Sequence, residues 1–344
     1  MNLHFQDQYT VPQNQWQGFD HQFDALLLSA HRVQSNLFAP GTKKNMKSHL
    51  RQFSIFCTKF SRPICPTNRD TLLAFGRLLS LTCSYGHIKN LFGSIKFLHR
   101  ALNAEYPDDD FQVNTTLKAI KREKSSAPLQ TLPITPEILE QLYLFIDIKK
   151  PHDLALWCSF LVAFYCLFRK SNVVPESLDK FDPQKGLSRR KISINGDASS
   201  ALVFVNWSKT IQFNNKDIVV PLQPNKKVAL DPVHHLNLLF SQFDLPDYLP
   251  AFSYLEGGQV RCITYRGFTA SLRKLLDVAG YRAKLYAGHS FRRGGATLLY
   301  KLKADPLLIR ASGDWSSDCF TRYVFLSLEQ RLKAQMLMSG YTTL

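Results

Sequence analysis

The chain contains no Cys-x-x-Cys pair, and its cysteines number seven, an odd count. Zinc ribbons and dithiol redox motifs need the first, and disulfide frameworks need even numbers. Both are disfavoured, and a reducing compartment is expected. No apolar run is long enough to span a bilayer, and no lone basic amphipathic helix stands out to lie on one, so no membrane partner is expected. The polar, Gln-rich opening MNLHFQDQYTVPQNQWQ lacks the apolar core of a secretory leader. Residues 1–18 read instead as a flexible arm. There is no GxxxxGK phosphate loop, no nucleophile elbow around His289-Ser290, no internal repeat and no low-complexity tract. His234 and His235 are adjacent, so they face different ways on a helix, and no third ligand stands at a useful spacing. No metal site is expected.

Acids are scarce as well. Asp and Glu total 27 against 43 Lys and Arg, a formal net charge of +16 at pH 7. Such an excess calls for a polyanion, and nucleic acid is the commonest one. What is abundant is apolar residue, 45% of 344 positions, enough for the cores of two domains.

Residues 19–124 read as helical. FDALLLSAHRVQ has helical apolar spacing. In APGTKKNMKSHLRQFSIFCTKF, a helix is expected after a Pro-Gly turn, with Met46, Leu50, Phe53, Cys57 and Phe60 on one face. Lys43, Lys44, Lys47 and Arg51 fall elsewhere on that helix. TNRDTLLAFGRLLSLT opens with a plausible cap. YGHIKNLFGSIKFLHRALNAEY places Ile88, Leu91, Phe92, Ile95, Leu98 and Leu102 in a core stripe, with Lys89, Lys96 and Arg100 off it. Each basic stripe alone is what a solvated face looks like. Two of them on neighbouring helices of so basic a chain suit a phosphate backbone, where neutralised phosphates release counterions. Residues 125–133 read as a linker, and Lys118, Lys121, Arg122 and Lys124 lead into it.

Residues 134–344 read as a second, mixed domain. A helix starts after Thr135-Pro136. DLALWCSFLVAFYCLFRKSN is a buried helix by its near-continuous apolar character, and RKISING, ALVFVNWSKT and KDIVVPL read as a small antiparallel sheet. From VHHLNLLFSQF onward the signal is helical again, with one helix closing on Gly280. The expected fold is mainly α with a small antiparallel β-sheet.

Six residues remain: Arg169, Lys209, His289, Arg292, Trp315 and Tyr323. Each has a plain structural explanation. A cation suits the end of a hydrophobic helix, which covers Arg169. Lys209 sits just past an apolar strand, in a turn. His289 can cap a helix, Arg292 can be one surface arginine among several, Trp315 can be core, and Tyr323 is one of 13 tyrosines.

Taken together and in this order, they resemble the tyrosine recombinases, the phage-integrase-like enzymes that break and rejoin DNA. The family pattern of Arg, Lys, His-x-x-Arg, His or Trp, then Tyr stands here as CLFRKSN (Arg169), NWSKT (Lys209), GHSFRRGGA (His289, Arg292), GDWSS (Trp315) and FTRYVF (Tyr323). GTKKNMKSHLRQFSIFC looks like the family's helical core-binding domain, and the likeness covers residues from about 20 to 335. The wording RKSNVVP and HSFRRGGAT…GDW looks closest to recombinases of eukaryotic mobile elements, the DIRS, Ngaro and Crypton groups.

The resemblance implies a two-domain DNA clamp with double-stranded DNA as partner. It implies dimers and tetramers on two DNA sites, a Holliday junction, and no metal or cofactor. Tyr323 is the implied nucleophile, giving a 3′-phosphotyrosine and a free 5′-hydroxyl. Arg169 and Arg292 are suited to clamp the non-bridging oxygens, being bidentate and charged at any relevant pH. His289 faces the same phosphate, Lys209 protonates the leaving oxygen, and Trp315 offers an N–H donor and packing. Two departures stand out. Asn172 occupies a position where the family often has an acid, and the Trp-to-Tyr gap is eight, one shorter than the commonest spacing. Arg293 and Arg322 flank the motif residues.

The C-terminal SLEQRLKAQMLM, with Leu328, Leu332, Gln335 and Met336 on one side, fits either its own core or a neighbouring subunit. Arg189-Arg190-Lys191 suits nuclear import or DNA contact equally. A nuclear location rests on the mobile-element resemblance. A related protein that binds DNA without cutting it, and a type-IB-like topoisomerase, are the competing readings.

Overall fold

The structure, a computed structural model, describes residues 37–124, 131–207 and 217–315, with single positions at 26, 29, 321, 332, 335, 336 and 339. The expected arm at 1–18, linker residues 125–130, Lys209, Tyr323 and most of the C-terminal segment lie outside the described residues. The chain divides into two compact units, Met1–Pro128 and Leu129–Leu344.

The first unit is built from α1 (Pro40–Lys59), α2 (Arg69–Thr82), α3 (Tyr85–Ala101) and α4 (Phe111–Glu123). Side-chain caps start three of them: Asn68 accepts from the Thr71 N–H, Ser84 from His87 and Asp110 from Val113. Each satisfies an N–H that the helix leaves open. Phe53, Phe75, Leu72, Ile88, Leu91 and Ile95 form the centre of its core. Buried His99 ties α3 to the loop between α1 and α2, accepting from the Thr67 N–H at 2.9 Å while its other nitrogen meets the Ile95 carbonyl at 2.8 Å.

Three expectations fail here for one reason, the position of helix ends. Pro40 and Gly41 form the first turn of α1 rather than a turn before it, since proline at the first helical position forfeits no hydrogen bond. Phe60 and Leu102, assigned to core stripes, are the C-caps of α1 and α3, and both are exposed. The periodicity that would have buried them stops there.

The second unit is organised around α6 (Pro151–Tyr165), buried without interruption from Leu154 to Phe164. Burying each of its large side chains contributes roughly 1.5–3 kcal/mol relative to exposure. Around it lie α5 (Pro136–Tyr143), the short α7 (Lys170–Val173), α8 (Pro232–Gln242), α9 (Tyr265–Val278), α10 (His289–Lys301) and α11 (Pro306–Ser312). Thr135 caps α5, whose first residue is Pro136, and Gly280, at φ +81°, closes α9 as expected, in the left-handed conformation that glycine adopts freely. A three-stranded antiparallel sheet runs β1 (Ile192–Ile194), β2 (Ala201–Val205), β3 (Ile218–Leu222), with Val203 opposite Val220 and Val205 opposite Ile218.

The stretch after α8 is not all helical. Ser253–Glu256 (β4) and Gln259–Cys262 (β5) pair as a hairpin. Its two-residue turn, Gly257-Gly258, has positive φ at both positions, as a turn matched to strand twist requires. The Gly-Gly pair inside SYLEGGQVRC carried that signal. Among the described residues no helix is long and apolar enough to cross a membrane.

Candidate active site

The site is assembled from three helix ends. The first is the C-terminus of α6. Arg169 does not sit there, as its plain structural explanation required. The helix stops at Tyr165, and Arg169 N-caps α7 four residues later, where no helix-dipole argument favours a cation. Between them Leu167 adopts φ +51°, and the Phe168 N–H reaches back to the Ala163 carbonyl at 3.1 Å. This left-handed closure costs a branched residue about 1–2 kcal/mol relative to ordinary helix geometry. It turns the Leu167 carbonyl into the site.

The second is the N-terminus of α10. It begins at His289, which is exposed, and Arg292 lies one turn on, so the two share a side of the helix. Two glycines of RRGGA bring the helix in close. A Cβ on Gly294 would overlap the Ile134 carbonyl oxygen, and one on Gly295 would stand 2.6 Å from the Phe164 carbonyl oxygen. They are packing glycines.

Arg292 is 3% exposed. Its guanidinium donates to the Leu167 carbonyl at 2.6 Å and to the Gly313 carbonyl at 2.6 Å. It thereby bridges the C-terminal ends of α6 and α11, where a cation is favoured. Its face lies 4.2 Å from the centre of the Trp315 ring. Neighbouring Arg293 turns elsewhere and donates to the Thr131 carbonyl.

The third end is that of α11. Asp314 closes it at φ +49°, and the Trp315 N–H returns to the Arg310 carbonyl at 3.1 Å. Trp315 is buried with Leu167, Ala296 and Ile309, so it is both a core residue and the platform under Arg292.

These parts open on one small cleft, lined by Arg169, Asn172, Arg292 and Gly313-Asp314 together with Val205 and Ile218. The last two are the final rung of the β2–β3 ladder. Lys209 falls in the chain between them and is itself outside the described residues, as is Tyr323. Arg169 and Arg292 therefore line one cleft, with the Trp315 ring against the Arg292 guanidinium and His289 one turn before Arg292 on the same helix. Lys170, beside Arg169, anchors α7 by donating to the Thr269 hydroxyl at 2.6 Å and lying over the Tyr265 ring. Burial, and then the Arg273 charge, hold its ammonium below the ordinary lysine value.

Among the described residues no three His, Cys, Asp or Glu side chains come together as metal ligands. His235 is buried, bonded to the Asp231 carbonyl and the Tyr143 hydroxyl.

Of the candidate phosphate contacts, Lys43, Lys44, Lys47, Arg51, Lys89, Lys121 and Arg122 are exposed on the first unit. Lys96 and Arg100 are not simple free charges: both pair with Asp108, whose carboxyl they hold below its ordinary value, Lys96 most. The Arg189-Arg190-Lys191 cluster is not an exposed basic tract. Arg189 is buried, donating to the Phe243 carbonyl at 2.6 Å, and Lys191 is held by three oxygen acceptors. Only Arg190 of the three is exposed.

No family model matches the chain. The integrase/recombinase xerD homolog of Selenomonas ruminantium is 22% identical over 311 residues, covering 88% of this chain and 86% of that protein. Among solved structures, the Tn1549 transposon integrase in complex with circular intermediate DNA superposes with a TM-score of 0.54 at 14% identity, over 90% of this chain and 98% of that one. The XerH site-specific recombinase bound to its difH substrate gives 0.53 at 13% identity, over 84% and 76%. The fold is thus that of these recombinases and integrases.

Proposed function

We propose that this chain is a site-specific DNA recombinase that breaks and rejoins strands through a 3′-phosphotyrosine ester. The observation that carries the reading is the cleft that Arg169 and Arg292 both line beside the base of the β2–β3 turn. Charge sits on the non-bridging oxygens throughout displacement at phosphorus, so catalysis is mostly positioning and electrostatic stabilisation. Two fixed guanidiniums suit that task. The Tyr323 oxygen attacks phosphorus and its proton passes to His289. The bond from phosphorus to the 5′ oxygen breaks, its electron pair stays on that oxygen, and Lys209 protonates it. A free phenol has a pKa near ~10, and the arginines' positive field eases its ionisation. The energy of the broken ester is kept in the new one, so rejoining needs no nucleotide cofactor. Trp315 positions Arg292, and Asn172 borders the cleft without adding charge.

The first unit would grip double-stranded DNA through Lys43, Lys44, Lys47, Arg51, Lys89, Lys96, Arg100, Lys121 and Arg122. Pairing of two DNA sites would proceed through a dimer and a tetramer with a Holliday junction. The likeness to a transposon integrase favours integration or excision of a mobile element. Nuclear action rests on the likeness to eukaryotic mobile-element recombinases.

The test is covalent trapping. The protein is mixed with a pool of nicked duplexes of randomised sequence in EDTA and quenched in SDS. A protein–DNA adduct is expected. Binding without an adduct anywhere in the pool would leave a DNA-binding protein, not a recombinase. Relaxation of supercoils by a persistent monomer would make it a topoisomerase.

Salt dependence reads the first unit. The triple replacement Lys43→Ala, Lys47→Ala, Arg51→Ala is expected to weaken duplex binding irrespective of sequence. It should also flatten the plot of log affinity against log salt by roughly 2.7, or ~0.9 for each phosphate that is no longer neutralised. Fluorescence anisotropy across a salt series measures both.

A further inference from the structure

Lys191 is a cation that the proposed chemistry does not use, yet it lies next to the site. Its ammonium donates to the Gln184 carbonyl at 2.9 Å, the Gly186 carbonyl at 2.8 Å and the Asn206 side-chain oxygen at 2.8 Å. An ammonium has three N–H donors, and three acceptors use them all. Such a lysine is committed to structure. Burial, and then the neighbouring Arg190 charge, hold its ammonium below the ordinary lysine value.

What it fixes is specific. Asn206 is the first residue after β2, and Lys209 follows three positions on. The Lys185 ammonium lies 5.5 Å from the ring centre of the next residue, Trp207. Lys191, Asn206 and Trp207 line a second small pocket, and Asn172 and Val205 line both it and the cleft that holds Arg169 and Arg292. The grip on the turn therefore adjoins the phosphate cleft.

We infer that Lys191 is a positioning residue: its bond to Asn206 fixes the chain just after β2, three residues before Lys209, and the proton transfer proposed for Lys209 depends on that anchor. This rests on the reading of Lys209 as the proton donor. An alkoxide needs that proton as it leaves, whereas a thiolate, with a pKa near ~8.5, leaves without it. Replacing the 5′ oxygen by sulfur should therefore cancel any defect confined to Lys209 or its placement.

The full chain is compared as parent, Lys191→Met, Asn206→Ala and Lys209→Ala. The substrates are pools of nicked duplexes in which the scissile linkage is either a phosphodiester or a 5′-bridging phosphorothiolate. On the phosphodiester, Lys191→Met is expected to form adduct on the order of tenfold or more slowly. Asn206→Ala should lose a comparable amount, because it removes the same bond while Lys191 keeps only the Gln184 and Gly186 carbonyls, which lie away from β2. Both should match the parent on the phosphorothiolate. Amide hydrogen exchange at 205–207 and 217–218 should accelerate in both variants, with α6 unchanged.

If Lys209→Ala is rescued by sulfur and the Lys191 and Asn206 variants are not, the inference falls and the proton-donor reading stands. If Lys209→Ala is equally slow on both linkages, the reading of Lys209 falls and the inference with it. Unchanged exchange at the turn overturns the inference whatever the adduct yields. Accelerated exchange throughout the second unit does the same, since it would make Lys191 a general stabiliser.

Discussion

Tyr323→Phe is expected to abolish the covalent adduct while leaving duplex affinity within about twofold of the parent. The substitution removes one oxygen, and that oxygen is the proposed nucleophile. Nucleophile deletions in enzymes that act through covalent intermediates reduce turnover by on the order of 10⁴–10⁶, with residual rate coming from electrostatics and binding alone. No residual adduct is possible here, because water can cleave the ester but cannot attach protein to DNA. The measurement is SDS electrophoresis of labelled nicked duplex, with anisotropy on the same preparations. An adduct that persists in Tyr323→Phe would move the nucleophile to another tyrosine. Loss of binding together with the adduct would make the substitution a folding defect and leave the assignment unsupported.

The second large effect is on stability. Gly294→Ala should destabilise the second unit by about 3 kcal/mol, at the upper end of what overpacking costs. The new Cβ would overlap the Ile134 carbonyl oxygen and approach the Phe164 ring to 3.1 Å. Neither neighbour can retreat easily. Ile134 and Phe164 are both buried, and the Ile134 N–H is bonded to the Ser290 carbonyl at 2.9 Å. A loss of that size lowers the midpoint of thermal unfolding by roughly 6–12 °C in a unit of this length. Tryptophan fluorescence suits the measurement, because three of the four tryptophans, Trp157, Trp207 and Trp315, belong to the second unit. The contrast is Gly93→Ala in α3, where a Cβ meets nothing within 4 Å. There a gain of about 0.5–1 kcal/mol is expected from helix propensity, followed by circular dichroism. Equal effects at the two positions would contradict the packing account.

What could be read from the sequence divides along physical lines. Local signals transferred well. The cap at Asn68, the glycine closing α9 and the periodic core of α1 and α3 depend on residues close together in the chain. Errors clustered at helix ends, as with Phe60 and Leu102, because periodicity does not announce where it stops. The β4–β5 hairpin was legible in its Gly-Gly turn but was outweighed by the helical sequence around it. That Arg169 and Arg292 act on one phosphate is implied by the family resemblance, and both line one cleft. The means was not legible. It needs Leu167 in a glycine-like conformation, Arg292 bridging two carbonyls 125 and 21 residues away, and two helix glycines packed against backbone carbonyls. These are long-range coincidences that no single stretch encodes. The basic cluster at 189–191 shows the converse. Its charge was legible, but its burial was decided by acceptors supplied from other segments.

Leu167 has a consequence for how this site can change over generations. Glycine there would relieve about 1–2 kcal/mol of backbone strain. It would also delete a buried leucine that packs on Ala296, Ile309 and Trp315, a loss of roughly 2–5 kcal/mol. Any other side chain keeps the strain and disturbs the packing. Position 167 is therefore a local peak in the mutational landscape. Each single step away from it lowers fitness through stability before it touches chemistry, and an escape requires a compensating change in the pocket around Trp315. Descendants of this chain should vary at positions 167 and 315 together or at neither.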